Sequence, residues 1–168
     1  MQGTPTLRAF VPSRKPERKS KRAVEYSQAR EVDDMARFAL GQIPSYIRPV
    51  RDTAALDALL DEGFREKLPV VLVFSDSKGT SSVLKALSAE FVGPSAAGRR
   101  LLIGELKKSD EIAIAVDAYK VTKYPTLIGV KSGEEPLRLE KKKPSHFALD
   151  YFLTKVATKR KRATKEEL

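Results

Sequence analysis

The sequence predicts an α/β fold. A central mixed sheet is flanked by helices in the order βαβαβαββα over residues 46–157, preceded by an incomplete ββα unit. Three observations predict it. Apolar runs of strand length alternate with stretches whose apolar residues recur at helical spacing. One run, Leu68-Pro69-Val70-Val71-Leu72-Val73-Phe74, is almost continuously apolar, as strands covered on both faces are. A short phrase also occurs twice, roughly 120 residues apart: Pro5-Thr6-Leu7 leads into Arg8–Val11, and Pro125-Thr126-Leu127 leads into Ile128–Val130.

Each element has a local reason. Residues 7–11 alternate weakly and read as a strand, and Ala23–Tyr26 can pair back on it. Val32, Met35, Ala36, Ala39 and Leu40 give Arg30–Leu40 a helical apolar face, with Gly41 and then Pro44 as stop signals. Ile47–Val50 is a strand confined to a sheet edge by Pro49. Asp52 caps a helix over Thr53–Glu66, with Ala55, Leu56, Leu59, Leu60 and Phe64 inward. After the apolar run and a polar loop, Val83–Phe91 is a helix with Val83, Leu84, Leu87 and Phe91 inward. Leu101–Leu106 is a strand. Ser109 or Asp110 caps a helix to Tyr119, with Ile112, Ala115, Val116 and Tyr119 inward. Two strands, Thr126–Val130 and Pro136–Glu140, flank a Ser132-Gly133 turn, and a last helix runs from Ser145 to Ala157.

This order, with Tyr124-Pro125-Thr126-Leu127 ahead of the final hairpin, resembles a thioredoxin-like domain of the protein disulfide isomerase family. The resemblance covers residues 46–157. Residues 1–45 resemble the C-terminal part of a preceding, incomplete thioredoxin-like domain. There, Tyr26-Ser27-Gln28-Ala29-Arg30 and Phe38 stand where the family has a Tyr-x-Gly-x-Arg strand and a closing-helix phenylalanine. Gln28 departs from that pattern. The basic loop Arg14–Arg22 accommodates the longer stretch from Pro5 to Phe38, compared with Pro125 to Phe152. The opening strands and helices of that first domain would precede Met1. A shortened chain of this kind would also explain why Met1–Pro5 lacks the basic and apolar segments of a signal peptide. Residues 158–168 form a basic tail.

The resemblance places Gly79-Thr80-Ser81-Ser82 where the family carries Cys-x-x-Cys. Disulfide exchange starts with thiolate attack on sulfur, and the 168 residues include no cysteine. The expectation is therefore a redox-inactive domain, not an enzyme, with Thr80, Ser81 and Ser82 acting as helix-capping hydroxyls. The resemblance also implies a cis bond at Tyr124-Pro125, and makes Pro5 the corresponding proline of the preceding domain. Tyr124, Pro125 and Thr126, beside Lys78–Ser82, become the candidate contact for extended polypeptide. The closing helix, with the single histidine His146, is expected away from the loop, which discounts Ser82 as a nucleophile with a histidine base. No cofactor or metal is expected.

Lys165-Glu166-Glu167-Leu168 resembles the Lys-Asp-Glu-Leu retrieval signal. With the family resemblance it implies the endoplasmic reticulum lumen, a retrieval receptor as one partner and unfolded or partner polypeptides as the others. Lys159-Arg160-Lys161-Arg162 offers a rival reading as a nuclear import patch.

Composition narrows the alternatives. Apolar residues make up 41% of the chain, enough for a packed core, and no stretch approaches the roughly 20 apolar residues of a membrane helix. The net charge of +10 is concentrated in Arg14–Arg22 and Lys155–Lys165. Those runs define the alternative function, a basic nucleic-acid-associated module using the Arg14–Arg22 loop and the C-terminal tail. No phosphate-cradling glycine loop, RNA-type aromatic strand or zinc spacing accompanies them, so nucleic acid is not the expected partner.

Overall fold

A computed structural model describes residues 6–11, 21–93 and 98–158. The strands β1 (Arg8–Val11) and β2 (Arg22–Glu25) form an antiparallel hairpin, followed by α1 (Val32–Gly41). Then come β3 (Arg48–Val50), α2 (Thr53–Glu66), β4 (Val70–Ser75), α3 (Ser82–Phe91), β5 (Leu102–Lys107) and α4 (Ala113–Ala118). The chain continues through β6 (Thr126–Val130), β7 (Leu137–Glu140) and α5 (His146–Val156). The expected βαβαβαββα order is present, after a ββα unit.

Strands β3 to β7 form one sheet in the order β3-β5-β4-β6-β7. β3 and β4 each run parallel to β5, while β6 is antiparallel to both β4 and β7. All six residues of β4 are buried, as its apolar run implies. One face packs Val71, Val73, Ile103 and Leu127 against α3 and α5. The other packs Val70, Leu72, Phe74, Leu102, Leu106 and Ile128 against α2 and α4. Pro49 lies on β3, an edge strand, where its missing N–H costs no ladder bond. At the β6–β7 turn Gly133 has a φ of +76°, a conformation open to glycine.

Two helix caps follow the sequence. Asp52 accepts a 2.7 Å hydrogen bond from the Ala55 N–H, and Ser145 accepts one of 3.3 Å from the Ala148 N–H. The chain is tied into the core at both ends of this unit. The Tyr46 N–H donates to Ser88 Oγ at 3.1 Å. The Thr158 N–H donates to the Arg100 carbonyl at 3.0 Å, and Arg100 Nε donates back to the Thr158 carbonyl at 3.2 Å.

Several expected helix faces differ. Phe64 is 73% exposed, because Gly63 takes the inner position. A β-carbon there would collide with Val70, so only glycine lets α2 approach β4 so closely. Val83 is exposed as well, and Ser88 fills the inner position in its place, donating to the Lys85 carbonyl at 2.7 Å. The helix expected from Ser109 to Tyr119 is broken: Asp110–Ile112 is a 3-10 turn, and the α-helix proper starts at Ala113. Such tight first turns are common at helix N-termini. Ser109 and Asp110 were expected to cap this helix, but no side-chain cap bond forms at either start. Helix α1 has no buried residue, and Val32 is 75% exposed. Its anchor is Phe38, whose ring meets Tyr26 edge-on with centroids 5.0 Å apart.

A cluster of charges joins β3 to α2. Arg48 Nη2 donates to Glu62 Oε1 at 2.7 Å, while Arg99 Nη1 lies 3.1 Å from both Glu62 Oε1 and Glu66 Oε2. The hydrogen bond from Arg48 holds the Glu62 carboxyl below its ordinary pKa, with the Arg99 charge adding to the effect. A carboxylate with a lowered pKa stabilises the fold above its unfolded pKa, and the contribution is lost as pH falls through the folded value. Glu62→Gln should therefore lower the urea midpoint near neutral pH, with the gap to the parent closing below the ordinary glutamate range. Gly104→Val should cost about 1–3 kcal/mol by overpacking, read from the same urea curves, because a side chain there would strike Leu59 and Val50.

Candidate functional site

The chain leaves β4 at Ser75 and must turn before entering α3. Local hydroxyls shape that turn. Ser75 Oγ accepts from the Ser77 N–H at 3.2 Å, and Ser77 Oγ donates to the Gly79 carbonyl at 3.0 Å. Ser81 is the N-cap of α3, its Oγ accepting from the Leu84 N–H at 3.5 Å.

A buried charge pins the same loop from below. Glu105 lies on β5 and is buried. Its Oε2 accepts the Thr80 hydroxyl, and its Oε1 pairs with Lys107 Nζ at 2.9 Å. Lys107 Nζ also donates to the Ser77 carbonyl at 2.7 Å. A buried carboxylate is costly unless it is paired and hydrogen-bonded, and here both conditions are met by groups that also hold the loop.

Above this network lies a cleft of about 610 Å³. Gly79, Thr80, Ser81 and Ser82 all line it, facing Pro125. The Tyr124-Pro125 bond is cis, as expected. The structure thus brings together the two sequence-distant segments that the resemblance paired. The other two members of the proline trio do not reach the cleft. Tyr124 packs on the core beside α4, with Lys108 Nζ 5.7 Å from its ring centroid. Thr126 is fully buried, and its hydroxyl donates to the Lys123 carbonyl at 2.7 Å. Both support the loop, and Pro125 is the member that lines the cleft.

Sequence reasoning missed two parts of the site. One is Glu105 with Lys107; a carboxylate inside the apolar run Leu101–Leu106 was the available signal. The other is the far wall, formed by Lys142, Lys143 and Pro144 ahead of α5, with Leu149 from the helix. The closing helix therefore approaches the loop more closely than expected, because the β6–β7 hairpin returns the chain to this end of the sheet. His146 is not among the residues lining the cleft. Pro5, most of the Arg14–Arg22 loop, the Lys159–Arg162 patch and the tail residues Lys165, Glu166, Glu167 and Leu168 lie outside the described residues.

Chemically, the site offers hydroxyls, the ion-paired carboxylate of Glu105, the exposed carboxylate of Asp76 and two exposed lysines around an open groove. The described residues contain no thiol and no histidine in the cleft.

The fold is that of thioredoxin. A Nicotiana alata thioredoxin matches 68% of this chain and 96% of its own, with a TM-score of 0.55 at 17% identity. Arabidopsis thaliana thioredoxin O2 matches 68% of this chain and 96% of its own, with a TM-score of 0.53 at 16% identity. In sequence, a Dictyostelium discoideum protein named as a putative protein disulfide-isomerase is 27% identical over 129 residues, 76% of this chain. The chain spans 28% of that relative's length. No protein-family model matches.

If the buried pair holds the loop, Glu105→Ala should cost about 1–3 kcal/mol, since Thr80 and Lys107 lose their partner. Amide hydrogen exchange over Ser77–Thr80 should quicken more than exchange in β4. Unchanged exchange in the loop would show that the network is not what fixes it.

Proposed function

We propose that this chain is a redox-inactive thioredoxin-like module of the protein disulfide isomerase type. In this reading it binds unfolded polypeptide or partner proteins during folding in the endoplasmic reticulum. The observation that carries this is the cleft itself: Pro125 faces the loop Gly79–Ser82, which in this reading stands at the redox-loop position and presents Thr80, Ser81 and Ser82 in place of sulfur. Without a thiolate, exchange cannot begin. An open groove can still hold an extended chain through main-chain hydrogen bonds and apolar contacts. Pro125 and Pro144, both half-buried, supply apolar surface on the cleft wall.

Two further features support the reading. The likeness to a protein named as a disulfide isomerase agrees with a folding role. The sequence Lys165-Glu166-Glu167-Leu168 agrees with lumenal retrieval.

The test combines two assays. The purified chain should not accelerate insulin reduction over reductant alone. A reduced, carboxymethylated client should bind, as followed by fluorescence anisotropy. Gly79→Trp should weaken that binding about tenfold, equivalent to 1.4 kcal/mol. Gly79 has open space around it, so the indole would obstruct the cleft without disturbing the core. Equal client binding by parent and variant would overturn the assignment of the cleft. Tight binding of single-stranded RNA, falling by roughly 0.7 log units per log unit of salt for each neutralised phosphate, would favour the nucleic-acid alternative instead.

A further inference from the structure

A second surface, on the other side of α5 from the cleft, has the features of a strand-docking site. It begins with an asymmetry between the two edges of the sheet. The β3 edge is three residues long and carries Pro49. The β7 edge has no proline within Leu137–Glu140, and among the described residues no strand pairs with its outer side. An open edge presents unpaired N–H and C=O groups and is a template for another chain.

The surface beside that edge is apolar. Leu137 and Leu139 alternate onto one side of β7, with Leu137 38% exposed. Phe147 and Tyr151 project from α5 next to them, 83% and 63% exposed. Together they form a groove of about 540 Å³. Three large exposed side chains, Leu137, Phe147 and Tyr151, grouped beside the half-buried Leu139 are uncommon on a surface without a partner.

The charged residues that line the groove are of one sign. Arg138, Lys141 and Lys155 line it, and none of its lining residues is acidic. Arg138 is already engaged, 2.7 Å from Glu140 and 3.2 Å from the Lys120 carbonyl. Lys141 and Lys155 carry the local field, with Lys155 Nζ 4.8 Å from the Tyr151 ring centroid. Two copies of a chain with net charge +10 would bring these lysines together, which disfavours self-pairing.

We propose that the β7–α5 face docks an acidic, extended segment of a partner protein. The segment adds a sixth strand to the sheet at β7. Its alternate apolar side chains enter the groove over Leu137, Phe147 and Tyr151, and its carboxylates meet Lys141 and Lys155. Main-chain bonds supply affinity and the alternate pockets supply selectivity. This surface is separate from the Pro125 cleft.

The probe is a fluorescent ten-residue peptide alternating Glu with Phe or Val, titrated into the full chain and followed by anisotropy. Phe147→Ser combined with Tyr151→Ser should weaken binding at least about tenfold. Lys141→Glu with Lys155→Glu should weaken it similarly. All four side chains are exposed, so the fold should persist, as circular dichroism would verify. A probe N-methylated at every second residue should lose binding if strand addition is the mode. Gly79→Trp should leave it unchanged. The proposal fails if the Ser variant or the N-methylated probe binds as well as its parent. It also fails if a Lys-for-Glu probe binds equally. Sedimentation showing a dimer that the Ser variant abolishes would assign the face to a second copy and overturn it as well.

Discussion

Burial of β4 on both faces and along both edges is the constraint on which the rest depends. Val70–Ser75 pairs with β5 on one side and β6 on the other, while helices cover the sheet above and below. The chain can therefore emerge only at the end of the strand, after Ser75. That end is also where β5 delivers Glu105 to Lys107 and where β6, running the opposite way, begins just past Pro125. Three strand ends converge because the central one is enclosed. Sites at the carboxyl ends of parallel strands are common in α/β sheets for this geometric reason.

What occupies that position is a polar network built around one buried carboxylate. Glu105 can be buried because the Thr80 hydroxyl and the Lys107 ammonium satisfy it. Lys107 then reaches the Ser77 carbonyl, so the charge pair and the backbone of the loop are one assembly. The loop keeps its shape through hydrogen bonds among oxygen and nitrogen groups. These bonds tie the loop to the sheet, and a groove formed before binding loses less freedom when it binds.

Much of this was legible in the sequence, and the failures have physical causes. Strands were readable because buried β-strands need continuous apolar runs, and Leu68–Phe74 is one. Helix faces were less so. Periodicity marks large apolar side chains as inward, yet Phe64 and Val83 face outward while Gly63 and Ser88 take the inner positions. A helix that closely approaches a sheet needs a small residue at the contact, and hydrophobic spacing does not register that need. At the site, Gly79–Ser82 and Pro125 came from the family resemblance, and the structure joins them in one cleft. Glu105 left a trace, a lone carboxylate in an apolar strand. Lys142–Pro144 left none, since only the return of the β6–β7 hairpin brings them to the loop. Tyr124 and Thr126 were assigned to contact together with Pro125, but Thr126 is buried and Tyr124 packs half-buried on the core, so neither lines the cleft.

The reciprocal bonds between Arg100 and Thr158 carry one last implication. They fasten the end of the closing helix beside the start of β5, level with Val70, whereas the cleft opens past Ser75. Roughly 16–20 Å of strand separates those two levels. The main chain thus departs from the pole opposite the groove. A tether fixed at Thr158 itself would therefore hold the molecule by the pole opposite the groove.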